Sequence, residues 1–92
     1  MKSDRVGELD GVSGKRAMVT GGATGIGLAI ATALAKAGAR VAVADLNEQG
    51  ARDAAAWLGG GAIGLGIDVR DRNSVERAFA EVLGAFGGCE IL

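Results

Sequence analysis

Ninety-two residues make one small domain rather than two, and 49% hydrophobic content with only 3% aromatic residues describes a core of Ala, Val, Ile and Leu. Ten basic and eleven acidic residues leave a net charge of −1 with no Lys/Arg stripe, which argues against a nucleic-acid partner; a single cysteine, Cys89, and no histidine leave neither an internal disulfide nor a metal site in prospect. No apolar run approaches the roughly 18 residues of a membrane span and the N-terminus lacks a signal-like core, so no membrane partner and a cytoplasmic location are expected.

Residues 1 to 14 are polar, glycine-dotted and without a sustained period, and read as an N-terminal arm ahead of a domain over 15 to 92. Arg16 to Thr20 is predicted as the first strand. From Gly25 to Ala37 the residues Ile26, Ile30, Ala33, Leu34 and Ala37 follow helical spacing, and Gly38 sits where a left-handed C-terminal residue belongs. Arg40 to Asp45 is a short β-branched run of the kind buried on both faces, the second strand. Asn47 is a good N-cap for a helix to about Leu58, with Ala51, Ala54, Ala55 and Leu58 on one face, and Gly59-Gly60-Gly61 stops it. Ala62 to Ile67 is predicted as the third strand, and Asp71 as the cap of a helix whose apolar face is Val75, Ala78, Phe79, Val82, Leu83 and Phe86. Gly87-Gly88 ends that helix, and Glu90-Ile91-Leu92 reads as the start of a fourth strand.

Strands alternating with helices over short connections imply right-handed crossovers and a parallel sheet. Doubly wound geometry predicts the order 3-2-1-4, with the first two helices on one face and the third on the other. The third helix would then cross to the opposite side.

The stretch Thr20-Gly21-Gly22-Ala23-Thr24-Gly25-Ile26-Gly27 lies at the first strand-to-helix junction. Glycines there let the backbone turn tightly, admit a ligand without meeting a Cβ, and leave helix N–H groups aimed at it, which suits a pyrophosphate. Asp45 closes the second strand 18 positions after Gly27, where a carboxylate can accept hydrogen bonds from both hydroxyls of an adenosine ribose. The same carboxylate repels a 2′-phosphate, and neither Leu46 nor Thr24 carries a compensating charge, so NAD is expected over NADP. A phosphate-binding NTPase loop is disfavoured because Gly14-Lys15 precedes the strand and is followed by Arg16. An S-adenosylmethionine-dependent methyltransferase is a remoter alternative, since its turn usually follows an acidic residue and this one follows Thr20.

These residues resemble the N-terminal part of a classical short-chain dehydrogenase/reductase. The turn fits that family's Thr-Gly-x-x-x-Gly-Ile-Gly motif, Gly14-Lys15 fits its lead-in, and Asp68-Val69 fits the pair after the third strand. The resemblance covers residues 12 to 92 and implies a Rossmann-type doubly wound α/β sheet, present in part. It implies that Gly21, Gly25, Ile26 and Gly27, in a turn completed by Thr24, line the pyrophosphate, that Asp45 and Leu46 flank the ribose, and that Asp68 and Val69 face the adenine. The implied reaction interconverts an alcohol and a ketone with NAD(H). The family's catalytic serine, tyrosine and lysine have no counterpart in these 92 residues, which contain no tyrosine, so no catalytic residue is assigned and no turnover is expected from this chain alone. A stand-alone, non-catalytic dinucleotide-binding piece is the alternative reading. Self-association through an incompletely covered sheet edge is also expected.

Overall fold

The computed structural model describes residues 11 to 90. Its elements run β1 (Arg16–Thr20), α1 (Gly25–Lys36), β2 (Arg40–Asp45), α2 (Glu48–Leu58), β3 (Ile63–Gly66) and α3 (Arg72–Phe86). The three strands form one parallel sheet in the order β1-β2-β3, with Arg16 opposite Arg40 and Ala42 opposite Ile63. Of the predicted fourth strand, Ile91 and Leu92 lie outside the described residues, as do residues 1 to 10 of the arm. At Glu90 the backbone N–H donates to the Arg16 carbonyl at 2.9 Å, on the β1 side of the sheet.

Side chains alternate across the pleat and sort the core into two layers. Ala17, Val19, Val41 and Val43 pack with Ala31 and Leu34 of α1 and with Ala51 and Ala54 of α2. Met18, Ala42, Ala44 and Leu65 face the other way, onto Ala78, Val82 and Phe86 of α3. The first two helices therefore share one face and the third covers the other. Val12 also packs against the first layer, and the Gly14 N–H donates to the Gly38 carbonyl at 2.9 Å.

The caps act as their residue types dictate. Asn47 accepts from the Gly50 N–H, Asp71 accepts from the Asn73 N–H, and Gly87 ends α3 at φ 78°. Gly38, at φ 95°, takes the left-handed position after α1. Two apolar faces need correction. On α1 the packed stripe is Leu28, Ala31, Leu34 and Ala35, whereas Ile26 is 80% and Ile30 49% exposed. This helix is apolar nearly all round, so its periodicity does not choose a face; packing of its glycine-containing first turn does. On α3, Leu83 is 48% exposed, outside the layer formed by Ala78, Val82 and Phe86.

Arg16 ties the end of α3 to β1. Its guanidinium donates to the Phe86 carbonyl and pairs with Glu90, whose carboxylate also accepts from the Arg16 N–H at 2.8 Å. Hydrogen bonding by Arg16 lowers the Glu90 carboxyl from its ordinary 4.5 to about 2. A depressed carboxylate pKa stabilises the fold above the unfolded value and ceases to do so as pH falls through the folded one. The melting temperature should therefore decline between about pH 4.5 and 2, and Glu90→Gln should flatten that part of the curve. An unchanged slope in the variant would remove this pair as its source.

Gly84 lies exposed within α3, and a Cβ there meets nothing within 4 Å. Gly84→Ala should raise stability by about 0.5–1 kcal/mol, because a helical glycine costs backbone entropy and here has no packing reason to be present. Denaturant unfolding at constant m-value provides the check.

Candidate functional site

The C-terminal ends of β1, β2 and β3 carry the turn at 21 to 24 and the loops at 46–47 and 67–71, all at one edge of the parallel sheet. In open α/β sheets this edge is where ligands sit. Gly21 and Gly25 adopt φ values of 67° and 61°, which side chains rarely take, and a Cβ at either would meet nothing within 4 Å. Gly27 is required for a different reason: a Cβ there would lie 2.7 Å from the Gly21 carbonyl carbon and closer still to its oxygen. The first turn of α1 is thus pressed directly onto the preceding loop. Thr24 is its N-cap, in extended backbone and without a side-chain cap bond, and no acidic residue occupies that first turn. The positive end of the helix dipole is therefore not offset by a side chain of its own first turn.

Asp45 joins two of these loops. Its Oδ2 accepts from the Ala23 N–H at 3.1 Å in the glycine turn, and its Oδ1 accepts from the Asn47 N–H at 3.0 Å. Two backbone donors hold the carboxylate at the end of β2 without burying it. Across from it, the Asp68 N–H donates to Ser74 Oγ at 2.8 Å, which fixes the loop after β3 to α3. The Asp68 carboxylate accepts from Arg70 Nε at 3.0 Å and Nη2 at 3.2 Å, and from the Arg70 N–H at 3.0 Å. Those bonds hold its pKa below the ordinary carboxylate value and raise that of the guanidinium.

A cavity of about 220 Å³ opens between the loops, lined by Gly21, Asp45, Leu46, Ile67, Asp68, Val69 and Arg70. Five of the nine residues singled out in the sequence meet there: Gly21, Asp45, Leu46, Asp68 and Val69. Leu46 and Val69, both more than 60% exposed, offer apolar surface of the kind a purine ring covers. Thr24, Gly25, Ile26 and Gly27 are not in its lining and lie at the start of α1 instead. Gly25 also borders an apolar groove between α1 and α2 with Trp57. Sequence reasoning missed Arg70 and the Ala23 N–H. The signal for Arg70 was its place two residues after Asp68, a spacing at which an arginine can fold back on a carboxylate.

The geometry fits an adenosine diphosphate group. Space for a Cβ stands open at Gly21 and Gly25, the first turn of α1 carries no acidic side chain, and Asp45 lines the cavity beside that turn. Among the described residues no group of three or more His, Cys, Asp or Glu side chains could hold a metal ion, and no helix is long and apolar enough to cross a membrane.

Residues 15–92 match the sequence model of the short chain dehydrogenase family. Among curated proteins, a D-threitol dehydrogenase of Mycolicibacterium smegmatis is 51% identical over 84 residues, covering 88% of this chain and 32% of its own length. A sorbitol dehydrogenase of Cereibacter sphaeroides is 46% identical over 81 residues, again covering 88% of this chain and 32% of the relative. Among solved structures, a 3-ketoacyl-(acyl-carrier-protein) reductase from Brucella melitensis, complexed with NADH, superposes with a TM-score of 0.83 at 31% identity, over 87% of this chain and 33% of that one. The chain spans about a third of the length of these relatives.

Proposed function

The chain belongs to the short-chain dehydrogenase family, and from that premise we propose that it is the NAD-binding portion of an oxidoreductase that interconverts an alcohol and a ketone. Asp45 carries the reading, because a carboxylate fixed by two backbone N–H groups beside the glycine turn suits the 2′- and 3′-hydroxyls of an adenosine ribose. The family uses NAD(P), and the Brucella structure holds NADH. Asp45 favours the form without a 2′-phosphate. The relatives that act on sorbitol and D-threitol favour a polyol-type alcohol as substrate of the whole protein.

When bound, the nicotinamide supplies or accepts the hydride. The residues on this chain hold the other end of the cofactor. Gly21, Thr24, Gly25, Ile26 and Gly27 receive the phosphates at the α1 N-terminus, Asp45 and Leu46 bracket the ribose, and Asp68 and Val69 bound the adenine. The Glu90 N–H bond to Arg16 supports a fourth strand beside β1, in the order 3-2-1-4. General acid–base catalysis contributes about 10²–10⁴ in rate. With no tyrosine or histidine among its 92 residues, the chain by itself should bind cofactor without reducing it in the presence of sorbitol or threitol.

Calorimetric titration with ADP-ribose tests the assignment. Asp45→Asn should weaken binding about tenfold or more, since a hydrogen bond to a charged group contributes about 1.5–3 kcal/mol. Equal affinity in wild type and variant would remove Asp45 from the ribose.

A further inference from the structure

Asp45 and Leu46 leave the ribose end of the site with a negative charge and no sequence-adjacent cation, yet the folded chain brings one to the same cavity. Arg70 reaches it from the loop after β3 and lines it together with Asp45, Gly21 and Val69. It is the one cationic side chain among the described residues that do so. Its Nε and Nη2 rest on Asp68, and the pair is exposed at the Arg70 end, where the side chain is 79% accessible. Exposed ion pairs between neighbouring residues contribute little to stability. The guanidinium can therefore exchange its carboxylate for a better anion at small cost, and a phosphate dianion accepts the same two-point contact from arginine.

We infer that Arg70 is a specificity-determining residue of this cavity, giving a 2′-phosphate on the adenosine ribose its cationic partner and so tempering the discrimination that Asp45 imposes. Asp45 and Arg70 act in opposition. The first repels the 2′-phosphate and accepts from the free hydroxyl; the second attracts the phosphate and is restrained by Asp68. The preference for NAD over NADP is then the balance of two side chains from different loops. The inference rests on the assignment of this cavity to the adenosine end of a dinucleotide.

The test is calorimetric titration of the full 92-residue chain with ADP-ribose and with 2′-phospho-ADP-ribose at one ionic strength, read as the ratio of the two affinities. It compares Asp45→Asn with Asp45→Asn/Arg70→Gln, so that the carboxylate no longer masks the guanidinium, and includes Asp45→Asn/Arg70→Lys. Adding Arg70→Gln should shift the ratio against the phosphorylated ligand by about tenfold, and lysine should recover part of that shift. A ratio that does not move on removing Arg70, or a loss shared equally by both ligands, overturns the inference while leaving the dinucleotide assignment standing. Failure of wild type to bind ADP-ribose overturns both.

Discussion

Gly27→Ala is expected to weaken ADP-ribose binding by about a hundredfold. The added Cβ would fall within 2.7 Å of the Gly21 carbonyl carbon, and neither the turn nor the helix can relax by swinging a side chain, since both partners are backbone. Relief requires α1 to lift away from the loop, and with it the N–H groups that would receive the phosphates. Each hydrogen bond to a charged group contributes about 1.5–3 kcal/mol, so losing one outright or weakening two by half accounts for the loss. Overpacking should also cost about 1–3 kcal/mol of stability, which the melting curve reports separately from the titration. Binding within threefold of wild type would mean that the turn is not the cradle.

Gly64→Ala should be the most damaging single-methyl change to the fold. Gly64 pairs with Val43 in the middle of β3 and faces α2, where a Cβ would lie 2.5 Å from Arg52 Cα and closer still to the Ala51 carbonyl oxygen. The helix backbone rests on the strand at this point, with Ala51 fully buried beneath it. A methyl group there would prise α2 from the sheet, at a cost of about 3 kcal/mol, the upper end of what overpacking does. Chemical denaturation measures it. A loss under about 1 kcal/mol would show that the layer is loose enough to yield.

Much of this fold can be read along the chain because its punctuation is local. Asn47 and Asp71 cap helices by bonding N–H groups two or three residues on, and Gly38, Gly59 and Gly87 end them at positive φ, so these boundaries need no tertiary information. The β3 strand is shorter than its apolar run suggests, Ile63–Gly66 rather than Ala62 to Ile67, because Ala62 still bonds back to Gly59 in the preceding turn. The packed face of α1 was not legible, since alanines and leucines surround it and close approach at Gly27 decides its rotation. Nor was the reason for Gly64, whose neighbour is the backbone of a helix that precedes it in sequence.

The site divides in the same way. Asp45 was legible from its distance to the glycine turn, and Asp68 and Val69 from their resemblance to a family pair. That Asp45 would be held by the Ala23 N–H depends on how β1 and β2 align. The presence of Arg70 in the same cavity depends on β3 lying beside β2. Charge in this cavity is therefore set by side chains following two different strands, and the sequence near Asp45 shows one of them.

Direct titration of the 92-residue chain with NAD⁺ and with NADP⁺, under identical buffer and salt, decides whether this glycine turn and Asp45 form a dinucleotide site. Saturable one-to-one binding of NAD⁺, at least several-fold tighter than NADP⁺, is the expected result. Absence of NAD⁺ binding by a chain whose circular dichroism shows the α/β fold, or NADP⁺ binding as tightly as NAD⁺, would contradict it.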